Sequence, residues 1–168
     1  MKSVPIPPAA LLVIAGLLSA AAQAMPGDAG LLPGAIGVTQ LHATDARSGL
    51  ALGGRDPVSY QMDGIARAGH PEHETLWEGA GWRFASAANR AAFLRAPDAF
   101  APRIGGHDAV AAAEGRLVEA DPEIFAVRSG RLYLFRTPEA RARFEADPGL
   151  AARAEAGWAR LRGSVVRG

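Results

Sequence analysis

Apolar and polar positions alternate through Gly81-Trp82-Arg83-Phe84, the pattern of a strand with one face in a core. Ser86 follows where a helix N-cap belongs, its hydroxyl placed to accept from an otherwise unpaired amide, and Pro97 ends the helix that starts there. Glu74 to Trp77 reads as the preceding strand and Glu78-Gly79-Ala80 as the turn, so the unit is a β-hairpin followed by a short helix. The unit recurs. A shift of 51 positions lays Gly79, Trp82, Phe84, Ser86, Arg90, Phe93 and Pro97 onto Gly130, Tyr133, Phe135, Thr137, Arg141, Phe144 and Pro148. Duplication and shared building logic both account for the match. Either way, two hairpin-helix units should share one core, because neither can bury its apolar face alone.

Between and around these units the chain gives weaker signals. Val38 to Ala43 suits a short strand or a short helix. Gly49 to Tyr60 reads as a brief apolar strand running into a glycine pair and then Asp56-Pro57, which opens a turn or helix. After Phe100, the paired Gly105-Gly106 let the backbone approach another element closely, and His107 to Glu114 reads as a helix ending at Gly115. The second hairpin spans Ile124 to Arg128 and Arg131 to Arg136 through Ser129-Gly130. Thr137-Pro138-Glu139 caps and starts the helix behind it, and Asp147-Pro148 starts a last one, on which Ala151, Ala154, Trp158 and Leu161 recur at helical spacing. The fold class expected is α+β: a single compact domain with two β-hairpin–helix units around an antiparallel sheet and a C-terminal helix. Its core should draw on Trp82, Phe84, Phe93, Phe100, Tyr133, Phe135, Phe144 and Trp158.

The first residues add a compartment. Met1-Lys2, the apolar run Ala9 to Ala22 and the small-x-small triplet Ala22-Gln23-Ala24 make a secretory signal peptide, residues 1–24, cleaved near Ala24. Pro5, Pro7 and Pro8 shorten the run below what spans a bilayer. The division expected is a signal peptide, a flexible lead over 25–48, a domain over 49–162 and a frayed tail over 163–168, with the mature protein periplasmic or secreted and without a membrane span. Lys2 carries the only charge in the signal, so 17 of the 18 basic residues remain, all arginine, against 17 acidic ones. That balance gives no pull towards nucleic acid. Cysteine is absent, which excludes a disulfide framework and every thiolate chemistry.

Four motifs in order resemble the YHS-domain family, in its secreted bacterial branch. They are Gly54-Arg55-Asp56-Pro57-Val58-Ser59-Tyr60, the run Trp82 to Phe93, the set Pro97, Phe100 and Pro102, and Gly130 to Leu134. The resemblance covers Gly49 to Leu161. It implies a domain loosely associated with metal handling, since relatives occur in copper-transporting ATPases and oxygenase subunits. In the secreted branch the glycine pair is commonly followed by Tyr and then Cys or selenocysteine; here His107 and Asp108 stand there. That departure removes the thiol function.

The remaining chemistry is limited. His70 and His73, three apart, form with His107 and Asp108 a donor set suited to zinc or copper through imidazole nitrogen and carboxylate oxygen. Pro71 between the two histidines fits only the first turn of a helix. The alternative places His70 on a polar loop, His73 at a strand edge, and His107-Asp108 at a helix start where the carboxylate meets the positive end of the dipole. Ser59, Ser86 and Ser129 each have a turn or cap role rather than a nucleophile elbow, Asp121 and Glu123 suit a solvated turn, and no phosphate-cradling glycine loop is present. The expectation is an exported YHS-like binding protein holding a metal ion or small ligand near His107 and Asp108. The alternatives are a protein-interaction module with a degenerate site and an accessory subunit of a metal-dependent oxidoreductase.

Overall fold

A computed structural model describes residues 41–165 of the chain, with side chains to Arg162. The expected signal peptide, most of the lead and most of the tail lie outside these residues. The end of the lead is held in place: the Ala43 amide donates to the Gly105 carbonyl at 2.6 Å, and Thr44 bridges Ala51.

The expected α+β fold is present. Helix α1 (Ser59–Met62) leads to strand β1 (His70–Trp77), which pairs antiparallel with β2 (Ala80–Phe84). Helices α2 (Ala87–Arg95), α3 (Pro97–Phe100) and α4 (Ala109–Ala113) follow, then the hairpin β3 (Asp121–Arg128) and β4 (Arg131–Phe135), and finally α5 (Pro138–Ala146) and α6 (Leu150–Val165). The two hairpins form two separate two-stranded sheets. Both capping hydroxyls act as expected: Ser86 accepts from the Asn89 amide at 3.1 Å and Thr137 from the Ala140 amide at 3.2 Å. Pro97 both stops α2 and opens α3, because its missing amide is harmless only in a first turn. Helix α2 buries a single side chain, Phe93, whose ring packs on Trp77, Trp82 and Phe84.

The repeat runs deeper than the aromatic positions. Both hairpins break register at equivalent places, between His70 and Glu74 and between Asp121 and Phe125. Upstream, one position out of step with the hairpins, Gly53-Gly54-Arg55-Asp56 matches Gly105-Gly106-His107-Asp108. The amides of Arg55 and His107 donate to Leu52 and Ile104 at 3.0 and 3.1 Å, and those of Asp56 and Asp108 donate to Arg67 and Val118, both at 2.8 Å. Ala51 donates to Gly81, and Arg103 to Leu132, both at 2.9 Å. These paired bonds dock each glycine-rich segment on its own hairpin.

One strand ties the two units together. In β2 only Ala80, Trp82 and Phe84 are buried, so one face is in the core. In β4 the run Leu132 to Phe135 is buried on both faces: Leu132 and Leu134 join the first core with Trp82, Phe84 and Phe93, while Tyr133 and Phe135 join the second with Phe144, Leu150 and Trp158. Phe100 packs against the first core and is half-buried. Helix α6 lies close on α4, where a Cβ at Gly157 would fall 2.0 Å from the Ala112 carbonyl oxygen.

Candidate functional site

Asp56 and Asp108 occupy equivalent positions and do equivalent work. Asp56 is fully buried: Oδ1 accepts from the Val58 amide at 2.9 Å, and Oδ2 from the Ala85 amide at 2.9 Å and the Asn89 side chain at 2.6 Å. Asp108 caps α4 through Oδ1, which accepts from Ala111 at 2.7 Å, while Oδ2 accepts from the Arg136 amide at 2.6 Å. Each carboxylate thus ties the segment before a helix to the residue leaving the hairpin. With its oxygens given to backbone amides, Asp108 is a structural cap.

His107 is buried beside it, with Nδ1 at 3.1 Å from the Ile104 carbonyl and its ring stacked on Trp158 at 5.5 Å. Burial pushes its pKa below the ordinary value, against the opposing Ile104 bond. His70 opens β1 and is exposed; His73, half-buried, lies in the same strand. The His70-to-His73 stretch is extended, not a helical turn, so the spacing does not set both imidazoles on one helix face. Among the described residues no group of three or more His, Cys, Asp and Glu side chains could hold a metal ion. The four residues His70, His73, His107 and Asp108 are therefore not gathered into one site.

What the fold does gather is a cleft of about 360 Å³ between the tip of the first hairpin, the Asp98–Gly105 segment and α6. His42 forms one wall. Its ring lies 5.1 Å from Trp77 and 5.0 Å from Trp82, and Nε2 sits 3.0 Å from Glu78 Oε2. Burial lowers its pKa, against the opposing Glu78 contact, so the neutral ring donates from Nε2 and leaves the lone pair on Nδ1. Nδ1 is sealed from solvent without a hydrogen-bond partner. A base in that state is not positioned to take a proton from a substrate.

The opposite wall belongs to α6. Glu155, Trp158 and Arg162 recur three and four apart and so share the face turned to the cleft. Glu155 is held by Arg131 Nη1 at 3.1 and 3.2 Å and by the Tyr133 hydroxyl at 2.5 Å, and receives a longer contact, 3.3 Å, from Arg103 Nη2. Burial favours its neutral form, but the bonds from Tyr133, Arg103 and Arg131 outweigh that and leave its pKa lowered. Tyr133 is pushed up to about 12 by burial and by this carboxylate. Arg103 Nε is buried without a partner. Gly105 makes the walls fit: at φ +60°, it leaves no space for a Cβ, which would meet the Leu41 carbonyl oxygen at 2.2 Å and Trp158 Cζ2 at 2.9 Å.

No family model, curated protein or solved structure matches this chain. The functional reading therefore rests on the cleft. Sequence reasoning missed both His42 and Asp56. The repeated Gly-Gly-x-Asp string was a signal for Asp56, whereas nothing around His42 marks it as more than one histidine in a short apolar stretch.

Proposed function

We propose that this chain is an exported, non-enzymatic binding protein of the YHS type that holds a small organic ligand in the cleft between His42 and α6. The observation carrying the proposal is the cleft itself: two tryptophans, Trp77 and Trp158, with charged side chains around a fixed imidazole. Its volume of about 360 Å³ lies at the lower end of small-molecule sites, roughly 300–1,000 Å³. His107 is not part of the cleft lining and reaches it only through its ring contact with Trp158. The signal-like first residues support export, and the absence of cysteine makes the ligand's hold non-covalent with respect to thiols.

The test is ligand-observed NMR with a mixed fragment library on the purified protein and its Trp77→Ala variant. Binding of several fragments to the parent, weakened in the variant, is the expected result. Failure of every fragment to bind at millimolar concentration, or binding that ignores Trp77, overturns the reading.

A further inference from the structure

Apart from Glu155, which lines the α6 wall but is held by Arg131 and Tyr133, the charges around the cleft are sorted by sign. On the His42 side stand two carboxylates: Glu78, hydrogen-bonded to the imidazole, and Asp98, in the first turn of α3, whose charge acts on the same ring. A neutral imidazole leaves the Glu78 charge uncompensated, and Asp98 enters no ion pair among the described residues. On the α6 side stand two guanidiniums. Arg103 makes one long contact to Glu155, a carboxylate already held by Arg131 and Tyr133, and its buried Nε has no partner. Arg162, exposed and two turns beyond Glu155, enters no ion pair among the described residues. Trp77 and Trp158 supply aromatic surface between these poles.

Opposite charges that line one small cleft without pairing with each other, Arg103 reaching only Glu155 and Glu78 only His42, leave each pole to be met by a ligand. A carboxylate suits the planar guanidinium donors, and an ammonium suits the carboxylates and the faces of tryptophan. We propose that the cleft selects a small zwitterion of amino-acid to dipeptide size, its ammonium directed to Asp98 and Glu78 and its carboxylate to Arg103 and Arg162. The inference rests on the small-ligand reading and narrows it to one chemical class.

Calorimetric titration with four six-carbon probes decides it: norleucine and 6-aminohexanoate, which carry both charges at different separations, and hexylamine and hexanoate, which carry one each. At least one zwitterion should bind about tenfold or more tightly than both single-charge probes, the gain of one charge-assisted contact. Asp98→Asn should erase its advantage over hexanoate, and Arg162→Gln its advantage over hexylamine; both positions are exposed, so neither change threatens folding. Equal binding of a single-charge probe, or a preference that both variants leave intact, overturns the inference. If none of the four binds while fragments of other chemistry do, the zwitterion class falls and the small-ligand reading stands. If no fragment binds either, both fall.

Discussion

Asp56 is the residue whose removal should cost this domain most for its size. It is 0% exposed, and its two oxygens accept three hydrogen bonds, two of them from backbone amides. Asp56→Ala takes this charged acceptor from the buried Val58 amide and from the half-buried Ala85 amide and Asn89 side chain. At roughly 1.5 kcal/mol for each lost acceptor, the loss is about 4–5 kcal/mol, a large share of the roughly 5–15 kcal/mol that holds a typical domain together. Asp108→Ala strands two donors and should cost about 3 kcal/mol by the same reasoning. Asparagine is a sharper probe. Val58 and Ala85 donate to different oxygens of Asp56, so whichever way the amide turns, its NH2 group faces one backbone N–H. Asp56→Asn should therefore cost about 1–3 kcal/mol despite its identical shape, and Asp108→Asn about as much. Urea unfolding followed by circular dichroism, with an unchanged denaturant slope, measures all four. A loss below about 1 kcal/mol for Asp56→Ala, or one no larger than for Asp108→Ala, would refute the account of these carboxylates as paired tethers.

Two further outcomes follow from packing and charge. Gly157→Ala should destabilise the protein, because the Cβ would meet the Ala112 carbonyl oxygen at 2.0 Å and the resulting separation of α4 and α6 outweighs the helix-propensity gain of about 1 kcal/mol; a raised urea midpoint would contradict this. His42 and His107 have pKa values lowered by burial from 6.5, so below that value the unfolded chain binds protons that the folded one refuses. Stability present above about pH 6.5 should decline as the pH falls towards 5, and His42→Gln should flatten part of the decline; unfolding free energies independent of pH from 7 to 5 would exclude the effect.

The hairpins, their turns and the capped helices were legible because each depends on residues close in sequence. Gly79 and Gly130 take positive φ at the turns, Ser86 and Thr137 accept from amides three residues on, and Asp108 caps α4 as a carboxylate at a helix start should. The aromatic spacing also identified the core, with Trp82, Phe84, Phe93, Tyr133, Phe135, Phe144 and Trp158 all buried. The extended state of His70 to His73 was less legible, since Pro71 and the break in register obscure any strand period there.

Local rules determine which residues turn, cap and alternate, and in this chain they were sufficient for the two units and their order. They carry no information about which unit meets which surface. The burial of β4 on both faces, the separation of the hairpins into two sheets, the joining of His42 to Glu78 across the fold and the charges facing one another over the cleft were decided only by tertiary packing. The physical reason is range. A cap or a turn is satisfied within a few residues, whereas a cleft between a hairpin tip and a distant helix exists only after the aromatic cores have closed beneath it.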